Sequence, residues 1–133
     1  MDLLRPYLKA VALTPDNLML NVTCYDFSTM LSALMNDKKL NQITNLIVNP
    51  EDPFAKYVSP NGKLGEINSG YWYHQAYNNL VTDSKEDFLL PIIFAMDKTT
   101  ISNSANLHVY AIMFTTSIFN QSIRNQADAW RPL

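Results

Sequence analysis

Two apolar runs constrain the fold of this chain more than any other feature: "FLLPIIFAM" at 88–96 and "LHVYAIMFTTSIF" at 107–119. The first is continuous rather than alternating. A strand of that kind is ordinarily covered on both faces, which predicts a central place in a sheet with helices packed on it. Pro91 has no amide hydrogen to give a ladder, so regular pairing is expected from Ile92 onward. The second run carries Val109, Tyr110, Ile112, Phe114 and Thr115, a composition that favours a strand. The eight residues "TTISNSAN" before the second run are read as a turn, a separation that suits an antiparallel partner better than a helical crossover. The tail "RNQADAWRPL" reads as the start of a third strand.

Upstream, "DFSTMLSALMND" places Phe27, Met30, Leu31, Leu34 and Met35 at helical spacing, with Asp26 or Ser28 available to cap the first amides. A methionine-rich stripe of this period is core packing rather than a cofactor box. A short helix is expected over 2–12, stopped by Thr14-Pro15-Asp16-Asn17, followed by a brief extended segment at 18–22. From Asn49 to Gly70 the prolines and "NGKLG" break every period, so this stretch is read as a loop or linker. A second helix is predicted in "GYWYHQAYNNLV", capped by Ser69, with Tyr73, Ala76, Tyr77 and Leu80 on one stripe. Its four aromatics either pack the helix onto the sheet or form a platform for stacked bases. His74 has no partner at ligand spacing and is read as a surface or hydrogen-bonding side chain. The polar "TDSKED" (82–87) is a connector.

Composition narrows the function classes. Among 133 residues, ten Lys and Arg stand against twelve Asp and Glu, a net charge of −2, so no basic face advertises a freestanding DNA binder. One cysteine, Cys24, excludes an internal disulfide and a cysteine-based zinc cage. The opening "MDLLRPYLKAVAL" is interrupted by Asp2, Arg5 and Lys9, making it a poor signal peptide and too short to span a membrane. An intracellular location is expected. The sequons at Asn21 and Asn120 are therefore read as chance matches.

No serine–histidine–acid set, phosphate-cradling glycine loop or His-x-x-x-His pair occurs. What remains is Asp97, expected at a strand end. Two readings stay open on the residues alone. Asp97 terminates the strand and bonds nearby amides, or a rigid sheet holds its carboxylate toward solvent as a Mg²⁺ site needs.

Four segments, "LGEINSGYWYHQAY", "LLPIIFAMDKTTIS", "IMFTTSIFNQSIRN" and "AWRPL", resemble in order and spacing the catalytic region of Plavaka-type transposases. The resemblance covers roughly residues 64–133, with a weaker echo at 27–35. It implies a DDE-type enzyme with an RNase H-like fold, DNA as partner and a nuclear location in a eukaryotic cell. It further implies that Asp97 is the first catalytic, metal-binding carboxylate of a two-Mg²⁺ centre, flanked by Lys98 and Thr99. Those two would contact phosphate oxygens, or else serve only the turn.

The sequence departs from that family in having no acid after Asp128, and the role of Glu66 there is open. The expectation is thus an α+β chain: a helical and irregular region over 1–83, then the truncated start of an RNase H-like domain over 84–133. It is read as a transposase fragment, inactive alone for want of the downstream carboxylates. The alternative is a non-catalytic interaction module whose open sheet edge takes a protein partner.

Overall fold

The helical stripe at 27–35 finds its partner in the second apolar run, and that contact organises the chain. The computed structural model describes residues 6–12, 19–102 and 107–133, an α+β arrangement of helices with two antiparallel sheets. Helix α1 (Phe27–Met35) begins at Asp26, whose carboxylate accepts from the Thr29 amide at 2.8 Å and the Thr29 hydroxyl at 2.6 Å. Those bonds favour the ionised form and hold the Asp26 carboxyl below its ordinary range. The cap therefore contributes at neutral pH and is lost as pH falls through that lowered value. At the other end the Asn41 amide donates to the Leu34 and Met35 carbonyls, both at 2.9 Å, satisfying the last turn without a glycine.

Strands β1 (Tyr7–Ala12) and β2 (Met19–Cys24) pair antiparallel, from Tyr7 opposite Cys24 to Ala12 opposite Met19. This corrects the helix expected over 2–12, of which residues 2–5 lie outside the described residues. A segment that short gains too few internal bonds to offset helix nucleation, whereas "MLNVTC" offers a branched, extended partner. The extended segment expected at 18–22 is borne out from Met19 onward, residue 18 lying outside the described residues.

The irregular stretch from 49 to 70 folds as turns. Asn61 and Gly62 both take left-handed backbone, with φ of 62° and 63°, at the tight turn of "NGKLG". Helix α2 (Tyr71–Leu80) follows, but Gly70, not Ser69, occupies its N-cap and no side chain caps it. The Ser69 hydroxyl is already engaged, donating to the Glu66 carbonyl and accepting from the Gly65 amide at 3.0 Å.

Strand β3 (Ile92–Ser102) starts at the residue Pro91 dictates and pairs antiparallel with β4 (Leu107–Thr116). Strand β5 (Arg131–Pro132) then pairs with Met113 and Phe114, giving the order β3-β4-β5. The short α3 (Gln121–Arg124) lies between β4 and β5, capped by the Asn120 side chain. Two expectations fail here. Among the described residues β3 is an edge strand and β4 the central one, and Phe94 and Met96 are more than half exposed. Nor does β3 end near Asp97, which is the sixth of its 11 residues. The threonines after Asp97 are branched and continue the ladder that a polar sequence was taken to close.

Only the lower part of this ribbon is covered. Phe114 is fully buried, its ring 4.9 Å from that of Phe27, among Met30, Leu34, Leu40, Ile118, Phe119, Ile123 and Ala129. The whole predicted stripe of α1 belongs to this cluster or packs against it. Among the described residues no helix is long and apolar enough to cross a membrane. Truncating the fully buried Leu34 to alanine is expected to destabilise the protein by about 2–5 kcal/mol in urea titrations. Met96→Ala, far out on the ribbon, should cost less than about 0.5 kcal/mol in the same assay.

Candidate functional site

Side chains alternate across a strand, so the three residues "DKT" divide between two faces of the ribbon. Asp97 lies opposite Ala111 and shares its face with Ala95 and Thr99, whereas Lys98 lies opposite Tyr110 on the face that carries Phe94 and Met96. All three are exposed and within the ladder, which sets aside the turn reading of Lys98 and Thr99. The Asp97 carboxylate makes no side-chain hydrogen bond or ion pair among the described residues, so the strand-terminating reading with bonded amides fails as well. Paired backbone fixes its Cα on one side while solvent surrounds its oxygens.

The other acids with resolved partners are structurally occupied. Asp26 caps α1, Asp37 pairs with Arg131 at 3.4 Å, and Asp128 pairs with Lys39 at 2.8 Å. The last pair is exposed and holds the Asp128 carboxyl down and the Lys39 ammonium up, through their mutual hydrogen bond first and their charges second. Asp83 and Asp87 close the connector on itself, through bonds to the Lys85 amide and the Thr82 hydroxyl. Among the described residues no three His, Cys, Asp or Glu come together as a metal-holding group.

Glu66 and Asn68 do organise a site, and sequence reasoning gave neither its role. Glu66 binds Arg124 at 2.7 Å with both side chains largely covered, and its second oxygen accepts from the Gln121 amide at 3.3 Å. Arg124 also donates to the Phe119 carbonyl at 2.6 Å. Asn68, 2 % exposed, accepts from the Ser117 hydroxyl at 2.7 Å and donates to the Ile47 carbonyl at 3.3 Å. These bonds fasten the turn before α2 to the exit of β4, the strand that faces Asp97. The only trace of this in the sequence was the Glu-x-Asn-Ser spacing itself.

The aromatics of α2 also divide. Tyr73 is buried and its hydroxyl accepts from the Tyr57 amide at 3.2 Å, while the Tyr77 hydroxyl donates to the Phe54 carbonyl at 3.3 Å. Burial pushes the Tyr73 phenol up from its ordinary value. They pack the helix on the 54–57 loop instead of on a sheet, and Tyr71 and Trp72 face solvent. An open hollow of about 420 Å³ between 46–50 and 56–60 includes no residue of β3, and its one charged lining group, Lys56, bonds Asn78.

A sequence model described as Plavaka transposase matches residues 10–133. The chain belongs to the Plavaka transposase family. The match extends well upstream of the segments that carried the resemblance, and so takes in α1 and most of the β1–β2 hairpin. No curated protein and no solved structure gives a significant match. Within this Plavaka chain, the Gly-x-x-Asn-Ser-Gly segment works as the clasp just described. Asn68→Ala is expected to leave the Ser117 hydroxyl and the Ile47 carbonyl unpaired and cost about 1–3 kcal/mol in chemical denaturation. A loss no larger than that of an exposed loop substitution would show that the clasp carries no stability.

Proposed function

We propose that this chain supplies Asp97 as the first metal-binding carboxylate of a DDE-type DNA strand-cleavage and joining centre in an RNase H-like fold, and that it does not perform the reaction alone. The observation that carries the reading is the position of Asp97: exposed, its carboxylate without a side-chain partner among the described residues, and fixed at mid-strand in the β3–β4 ladder of a chain of the Plavaka transposase family. A rigid strand keeps a carboxylate oriented without spending side-chain contacts on it. Thr99, on the same face two residues on, would offer its hydroxyl to a phosphate oxygen near Asp97. Lys98 would act from the opposite face, as a backbone-phosphate contact rather than a member of the metal shell.

The donor set sets the limit. Two Mg²⁺ ions held close together need several carboxylates to offset their repulsion, and the described residues bring one to this face. The residues present therefore do not fit a two-metal centre, and no catalytic step is assigned to them.

Titration with paramagnetic Mn²⁺ tests the role of Asp97 directly. Backbone resonances of Ala95–Thr99 and of the facing Ala111 should broaden selectively in the wild-type chain and stay sharp in Asp97→Asn. Broadening that is uniform, or that persists in the variant, removes Asp97 from the metal shell. Incubation with supercoiled DNA and Mg²⁺ should leave the DNA intact. Nicking abolished by Asp97→Asn would overturn the claim that the chain is insufficient alone.

A further inference from the structure

Asn61 is the one asparagine of the sequence that a glycine follows, and among the described residues the one non-glycine with positive φ. Asparagine is among the few side chains that accept that conformation. Both Asn61 and Gly62 are exposed, and a Cβ built on Gly62 would meet nothing within 4 Å. Among the described residues the Asn61 side-chain amide has no hydrogen-bond partner. The turn is held from outside it, by Ser59. The Gly62 amide donates to the Ser59 carbonyl at 3.1 Å, and the Ser59 hydroxyl donates to the Lys63 carbonyl at 2.6 Å.

We infer that Asn61 is a site of spontaneous deamidation, and that Ser59 sets its rate by keeping the turn closed. The inference does not rest on the catalytic reading. Water is the only co-reactant. The Gly62 nitrogen gives its proton to a solvent base and attacks the Asn61 Cγ. That C–N bond forms as the bond from Cγ to the side-chain nitrogen breaks, and ammonia leaves. The five-membered imide then takes up one water at either carbonyl, giving aspartate or isoaspartate. Glycine permits the ring because no Cβ crowds its nitrogen. The closed turn opposes it twice. At a ψ of 17° for Asn61, the Gly62 nitrogen lies nearly eclipsed with the Asn61 nitrogen and turned away from Cβ, out of reach of Cγ. The Ser59 carbonyl meanwhile holds the proton that must leave. Ring closure therefore waits on local opening, which exposed loops undergo at small cost. The two products differ in effect. Aspartate tolerates left-handed backbone and keeps the turn, whereas isoaspartate adds a methylene to the main chain and breaks it. Asn68, which the small Ser69 follows, is 2 % exposed with both ends of its amide bonded, and serves as the internal reference.

The folded chain, kept in mildly alkaline heavy-oxygen water, should convert Asn61 ahead of Asn68, as located by peptide mapping with isoaspartate-specific methylation. Conversion should be slower than in a free peptide spanning residues 57–66. Ser59→Ala, with circular dichroism unchanged, should speed it roughly two- to tenfold, the weight of one hydrogen bond. Hydrogen exchange at the Gly62 amide reads the same opening without the chemistry and should rise by the same factor. An Asn61 that never converts, or converts after Asn68, overturns the site. A rate equal to the free peptide's, or one that Ser59→Ala leaves unchanged, overturns the control by the turn.

Discussion

Phe114 joins the two halves of the sequence. Its ring fills the space beneath Phe27 and Leu34 of α1, while its backbone pairs with Phe94 on one side and Arg131 on the other. One residue thereby fixes the helix to the middle strand and the middle strand to both neighbours. Residues that follow it, Ile118, Phe119 and Ile123, extend the same cluster and draw in the loop at 45–47. There the Ile47 amide donates to the Ile118 carbonyl at 2.6 Å and the Asn120 amide donates to the Asn45 carbonyl at 2.9 Å. A core so concentrated at one end of a long ribbon leaves the other end to stand on ladder hydrogen bonds alone, and a two-stranded hairpin is marginal in water.

Around this apolar centre, buried polar groups decide where the loops lie. Asn68 is almost wholly enclosed and has both ends of its amide engaged, one by Ser117 and one by Ile47. The neighbouring Glu66–Arg124 pair is mostly covered, and each partner holds a second, backbone group, which is the condition under which a covered ion pair tolerates its desolvation. Among the described residues Thr115 is the exception, a fully buried hydroxyl with no hydrogen-bond partner. The Asn120 sequon is likewise spent on structure. Its carbonyl oxygen accepts from the Ile123 amide and the Ser122 hydroxyl, and its amide donates to Thr44.

How much of this the sequence disclosed follows from the range of the forces involved. The stripe of α1, its Asp26 cap, the start of β3 at Ile92 and the hairpin that follows depend on periods and neighbours within a dozen residues, and all were legible. The segment at 7–12 was not, because its partner is the separate segment Met19–Cys24 and pairing overrode local helical pattern. Continuous hydrophobicity in β3 was read as burial on two faces. It records an apolar residue at each position, not what covers it. The run "TTISNSAN" looked like a turn because its residues are mostly polar, yet the ladder continues through its first four residues to Ser102. The clasp at 66–69 joins positions roughly fifty residues apart through hydrogen bonds, and no period or local spacing encodes such contacts.

The two-residue repeat of β3 has a further consequence. Neighbours in sequence, Met96 and Asp97, lie on opposite faces of the ribbon, and both are exposed. Their side chains share no contact, so changes at the two positions should act additively. An element with this geometry can change on one face and leave the other as it was. Evolution can thus edit the two surfaces of a single strand as though they belonged to separate proteins.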